Sequence, residues 1–300
     1  MQTHRRESMR ITLLFLSILY LSCQASSNKS AATDNQSQSS PTPYEVAVAD
    51  PMVEFRGSTV DSRFLTPEGY KREPVEEESF ANYLRKLPLK VPGSKVTYYD
   101  GQFKTNPIHA AVVDMSIGTK DLHQCADAIM RLKAEHLWLQ GKYDDIHFNF
   151  TNGMKVDYAR WMTGQRIKVD GNKTSWYNAS SPSNTYKDFW QYMEQIFMYA
   201  GTASLSEELN KVTSHDLKVG DIFIQGGHPG HAVIVVDMAV HSESGQKVMM
   251  LAQSFMPAQE LHVLKNNQNK DLSPWYKIDT SRELTLPEWS FDWGDLKRFK

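Results

Sequence analysis

Val219-Gly-Asp-Ile-Phe-Ile-Gln-Gly-Gly-His-Pro-Gly-His-Ala-Val-Ile-Val-Val-Asp237, followed after a polar break by Lys247-Val-Met-Met-Leu-Ala-Gln-Ser254, is the stretch on which the fold turns. Residues 221–225 and 232–238 are rich in Ile, Val and Phe, which suit a pleated, half-buried surface, and a Gly-rich turn separates them. Ser242-Glu-Ser-Gly245 supplies turn residues before 247–254, so 232–238 and 247–254 are expected to pair as an antiparallel hairpin. A short strand is expected at 275–278.

Upstream of this β-rich half the periodicity changes. The strongest helical pattern covers 122–140, with Asp121 read as N-cap, Gln124 three residues on as in a capping box, and Gly141 as the stop. Leu122, Cys125, Ile129 and Leu132 form its apolar stripe, while Asp127, Arg131 and Glu135 at four-residue spacing read as a solvated face held by local ion pairs. A second helix, 186–199, carries Phe189, Trp190, Met193, Ile196 and Phe197 and reads as core. A short helix is expected at 79–86, and strands at 95–99, 109–115, 146–150 and 166–169. A long helix from the first half packed on a mainly antiparallel sheet from the second half makes the class α+β, in one domain.

The N-terminal segment carries an address. His4, Arg5, Arg6 and Arg10 precede an uncharged apolar run, 11–21, and then Ser22-Cys23. That order reads as a secretion signal, and the run is about half the roughly 20 residues that a membrane-spanning helix needs. A small residue directly before a cysteine resembles the lipobox of bacterial lipoproteins, which implies a signal peptide at 1–22, a lipid on Cys23 and a location on the cell envelope. Residues 24–43 hold almost no large apolar side chain and read, with Cys23, as a flexible tether over 23–43, leaving 44–300 as the folded domain.

Formal net charge is −2 and no basic cluster follows the leader, so the chain lacks the electrostatic footprint of a nucleic-acid-binding protein. With Cys23 assigned to lipid, Cys125 is the one thiol of the folded part and has no partner for an intrachain disulfide. It is either packed as a small hydrophobe or used for its chemistry. Placed in the first turn of a helix, where free N–H groups and the helix dipole favour negative charge, its thiol pKa is expected to be lowered. His231, placed by the Gly-rich turn at the start of an apolar strand, is either a turn histidine bonded to a carbonyl or the candidate general base for Cys125.

Gly220-Asp221, Gly230-His231 and the Val/Ile strand after them resemble the histidine half of papain-like NlpC/P60 and amidase-type cysteine hydrolases. That resemblance implies a papain-like arrangement in which a cysteine at a helix start, a histidine on the facing sheet and a polar group on the next strand act together on an amide or peptide bond, often in peptidoglycan. Asp237 lies six residues along the same strand, about 20 Å away at about 3.3 Å per residue, and is excluded as the orienting group. Gln253 is the first choice and Gln259 the alternative, because the hairpin folds that stretch back towards His231. Gln124 is a candidate oxyanion donor; Arg160, Trp161 and His228 are candidate substrate-binding residues. His228 and His231 form a His-x-x-His, but without a helix beneath it or a third ligand it does not read as a zinc site, and no cofactor is implied.

Taken whole, the chain is similar to a family of bacterial lipoproteins, domain of unknown function 4846, through Arg56-Gly57-Ser58, Gln124-Cys125-Ala126-Asp127-Ala128, Gly230-His231-Ala232 and the run from Gln253 to Gln259. That resemblance implies no established activity. Three readings stand at this point: an envelope cysteine hydrolase or transferase, a non-catalytic module binding a glycan or peptide, and a structural lipoprotein of an envelope assembly.

Overall fold

The computed structural model describes residues 52–300; the expected signal peptide, Cys23, the whole tether and the first residues of the expected domain, 44–51, lie outside the described residues. Its centre is a nine-stranded sheet whose pairings are antiparallel throughout. From one edge the order is His109–Val112, His262–Leu264, Lys247–Gln253, His231–His241, Ile222–Gln225, Leu296–Arg298 and Asn210–Lys211. Tyr70–Arg72 adds to the far half of the His231–His241 strand, and Tyr276–Lys277 to the near half of Lys247–Gln253. Among the described residues no helix is long and apolar enough to cross a membrane.

The expected hairpin forms, with Lys247 opposite Val240 and Ala252 opposite Ile234. The sheet is buried on both faces, because alternate residues of the long strand enter different cores. Ala232, Ile234 and Val236 pack with Ile129, Met130 and Leu132 of the Cys125–Leu139 helix. Val233 and Val235 pack with Phe223, Leu251, Phe291 and Leu296 on the opposite side.

A bulge interrupts this alternation. Met250 pairs with Asp237 but Leu251 with Val235, so Val236 is the extra residue. A one-residue shift moves a side chain to the other face. Asp237 is thereby set opposite Met250, a member of the helix-side core, and meets Arg85 of the Phe80–Arg85 helix. The arginine Nε donates to Asp237 Oδ1 at 2.6 Å, and Arg72 Nε donates to Oδ2 at 2.5 Å. Asp237 is therefore a fully partnered buried carboxylate, not the simple strand-end residue that its position in the sequence suggests.

Two expectations are corrected. Segment 95–99 is not a strand: only single bridges tie Thr97 to Phe103 and Tyr98 to Gln259, because Gly93 and Gly101, at φ of 81° and 85°, turn the chain on both sides. The main helix begins at Cys125, three residues later than the pattern indicated, with Gln124 in the N-cap position. Asp121, read as the cap, instead accepts the Ala258 backbone N–H at 2.7 Å and so fastens the approach to the helix onto the loop after Lys247–Gln253.

Candidate functional site

Helix and strand meet at a cavity of about 300 Å³ that both Cys125 and His231 line. Cys125 is the first residue of its helix, and its sulfur lies near the backbone N–H of Ala232, the residue after His231. The residue is 8% exposed. Burial, reinforced by the neighbouring Asp127 carboxylate, pushes the thiol up to about 11, against the smaller opposing pull of the backbone amides. The expected lowering by the helix start is thus reversed: desolvation outweighs the dipole.

Asp127 and Arg131 are themselves buried, which corrects the expectation of a solvated face, although Arg131 Nε does pair with Glu135 Oε1 at 2.8 Å. Asp127 Oδ2 accepts the Gln124 backbone N–H at 3.0 Å and so serves the first turn, while Oδ1 is buried beside the cavity with no hydrogen-bond partner among the described residues. Burial raises this carboxyl well above the usual carboxylate range.

The opposite wall is the turn Gly226-Gly227-His228-Pro229-Gly230. Gly227 holds φ at 127°, open to glycine. Gly230 has a different need: a Cβ there would come within 2.5 Å of the Gly227 carbonyl oxygen and 2.4 Å of Thr202 Oγ1. This tight packing delivers His231 to the start of the strand, 1% exposed.

The orientation of His231 follows from three successive bonds. His231 Nε2 lies 2.9 Å from Gln253 Oε1. The other end of that amide, Nε2, donates to Glu288 Oε2 at 2.8 Å, and Glu288 Oε1 accepts from Lys104 Nζ at 2.6 Å. Since a carboxylate only accepts, the Gln253 amide nitrogen must face Glu288 and its oxygen must face the imidazole. His231 therefore carries its proton on Nε2, and Nδ1 keeps the lone pair. Phe255, Trp289 and Phe291 surround the ring at centroid distances of 4.6, 5.3 and 6.0 Å. Enclosure by these rings desolvates the imidazole and lowers its pKa to about 4. At neutral pH the cavity holds a neutral thiol and a neutral imidazole.

Gln253 reaches His231 diagonally. The register after the bulge leaves Gln253 next to Ala252, whose partner is Ile234, so it shares a face with Val233 and His231 and spans one step along the strand. Gln259, the alternative, is turned away; its amide nitrogen donates to the Pro257 carbonyl at 3.1 Å. Gln124 also lines the cavity, with its side-chain amide held by Asp121 Oδ1 at 3.1 Å, and His228 stands exposed on the cavity's rim.

Arg160 and Trp161 are not part of this cavity. Arg160 is bonded through Nε to Gln165 Oε1 at 2.6 Å and lies over the Trp176 ring, whereas Trp161 is buried with its indole N–H on the Asp188 carbonyl at 3.1 Å. Both belong to the packing around the Gln165–Asp170 and Lys173–Asn178 ribbon. Conversely, Asp127, Lys104, Glu288 and Trp289 belong to the site or its support without having been singled out in the sequence. For Asp127 a signal existed, an acid at the third position after the true cap; for Glu288, 35 residues beyond its partner Gln253, none did.

Among comparisons with known proteins, the model of a family described as a domain of unknown function (4846) matches residues 60–298. No curated protein and no solved structure matches the chain.

Proposed function

The chain belongs to the domain of unknown function 4846 family, and from that premise, which brings no reaction with it, we propose that it is a thiol-dependent hydrolase or acyl transferase acting on an amide or peptide bond, with a papain-like Cys125, His231 and Gln253 site. The observation that supports this most is the Gln253 amide held by Glu288, which leaves Nδ1 of His231 as the basic nitrogen in the cavity that Cys125 also lines.

With the thiol up at about 11 and the imidazole down at about 4, a resting thiolate–imidazolium pair is disfavoured. The proton therefore moves during the attack. As the Cys125 sulfur bonds to the carbonyl carbon, His231 Nδ1 takes the thiol proton and the carbonyl π pair goes to oxygen. N–H groups of the first helical turn, which have no intrahelical acceptor, and the remaining amide hydrogen of Gln124 are the donors available to that oxyanion. Collapse reforms the carbonyl and breaks the C–N bond, and Nδ1–H protonates the departing amine. Water, or an amine in a transfer reaction, then attacks the thioester while Nδ1 accepts its proton; the C–S bond breaks and the sulfur recovers a proton from the imidazolium. Gln253 accepts from Nε2–H throughout and stabilises the imidazolium that forms.

The leader at 1–22, a lipid on Cys23 and the 23–43 tether would set this chemistry on the cell envelope, so a peptide of the envelope polymer is the substrate class to try first. The buried thiol favours one competing reading, a non-catalytic pocket for an envelope peptide or glycan. Incubating the full chain with peptidoglycan fragments, and reading products by mass spectrometry, separates the two. New amine and carboxyl termini that vanish in Cys125→Ser support the hydrolase; fragments retained intact, equally by both proteins, overturn it in favour of the binding module.

A further inference from the structure

We infer that Glu288, anchored by Lys104, is the positioning residue that decides which nitrogen of His231 is the base. The inference rests on the proposed catalytic role of His231 and extends it to a carboxylate distant in sequence. A glutamine amide is nearly symmetric in shape, so the space around Gln253 does not by itself tell its oxygen from its nitrogen. The distinction comes from what lies at its far end. Glu288 accepts from Gln253 Nε2 through Oε2 and from Lys104 Nζ through Oε1, so each carboxylate oxygen already serves one donor. Lys104, with a side chain only 5% exposed, has no acceptor capacity and can hold Glu288 in one way only. Polarity thus runs in one direction along the chain of bonds, from ammonium to carboxylate to amide to imidazole, and ends by placing the proton on His231 Nε2.

Glu288→Gln reverses that direction with almost no change of shape. Lys104 then donates to the new amide oxygen, the new amide nitrogen donates to Gln253 Oε1, and Gln253 turns its own nitrogen on His231. The imidazole answers by accepting at Nε2 and carrying its proton on Nδ1, where it blocks proton removal from Cys125.

The test is the His231 tautomer in the full chain, read from ring nitrogen shifts and couplings by NMR above pH 6 and assigned by the signal's loss in His231→Gln. The expected result is Nε2–H in the native protein and predominantly Nδ1–H in Glu288→Gln. Acylation of Cys125 by p-nitrophenyl acetate is expected to slow by about 10²-fold or more in the same variant, the usual share of a general base. Should Glu288→Gln fold poorly because it leaves a buried ammonium without its carboxylate, Lys104→Met combined with Glu288→Leu removes both. There the Nδ1–H form is expected to rise above its native level, since Gln253 is no longer oriented. Retention of Nε2–H alone in every folded variant overturns the inference and leaves the proposed reaction standing. A tautomer switch in a protein whose Cys125 never acylates leaves the inference standing and removes the reaction.

Discussion

Asp237 and His231 occupy the two halves of one strand, both buried, and they end in opposite conditions. Asp237 has a guanidinium on each oxygen, and its Oδ1 also accepts the Met238 backbone N–H at 2.8 Å. His231 has one nitrogen bonded and the other left over, beside a cavity and a cysteine. A polar group that is fully partnered holds elements together; one that is half partnered and lines a cavity is a candidate for chemistry. Under the proposed function the strand uses its buried polar residues for two purposes, and the pairing inventory, more than burial, tells them apart.

The sharpest way to break the comparison is at its structural end. Asp237→Asn leaves Arg72 and Arg85 without their carboxylate and is expected to cost about 3–5 kcal/mol in chemical denaturation, without altering the titration of Cys125. If the loss is small, the triad is not the fold's fastening. Acid gives the next largest effect. His231, lowered to about 4, is folded in its neutral form, so its contribution is present above the unfolded value near 6.5 and is lost as pH falls towards 4. That amounts to roughly 3 kcal/mol, and His123 and His262, lowered to about 3, continue the loss at lower pH. Denaturation midpoints across this range should fall steadily, and His231→Gln should flatten the upper part of the curve.

Much of this architecture was legible from residue patterns. The 186–199 helix appears with those limits because Thr185 caps it and its apolar stripe is unbroken, and the hairpin follows from two Val-rich and Met-rich runs across a Ser/Gly turn. What escaped has a common cause. The Leu296–Arg298 strand enters the sheet between Ile222–Gln225 and Asn210–Lys211, and Glu288 reaches Gln253 from a distant loop. Neither leaves a local periodicity. Cys125, His231 and Gln253 were visible as residue types at suggestive positions, and the apolar stripe already offered burial for the thiol, but the direction of its pKa was not legible, because the helix dipole can be read from sequence and the weight of desolvation cannot. Arg160 and Trp161 erred for a related reason: adjacency in sequence says nothing about which cavity a side chain joins.

Smaller effects sharpen the proposed catalytic end. Gln253→Leu leaves His231 Nε2 and one Glu288 oxygen without partners and should cost about 1–3 kcal/mol, measured by urea denaturation, while releasing the tautomer. Asp127→Asn removes the charge that adds to burial in raising Cys125, so alkylation against pH should show the thiol titrating below about 11. Asp127 is folded with a raised pKa, so its contribution is present below the unfolded value and is lost as pH rises through the folded one; the asparagine variant should lose less stability over that rise. Arg160→Ala, at an exposed pair away from the cavity, is expected to change stability by less than about 1 kcal/mol and acylation not at all.

The central claim is that Cys125 attacks a carbonyl while His231 removes its proton, and the most direct measurement is acylation of the native full chain by p-nitrophenyl acetate at pH 7, followed by peptide mapping. The account requires an acyl group on Cys125 in the folded protein, formed at least about 10²-fold more slowly in His231→Ala. Acylation of Cys125 only after unfolding, or at the same rate without His231, would contradict it.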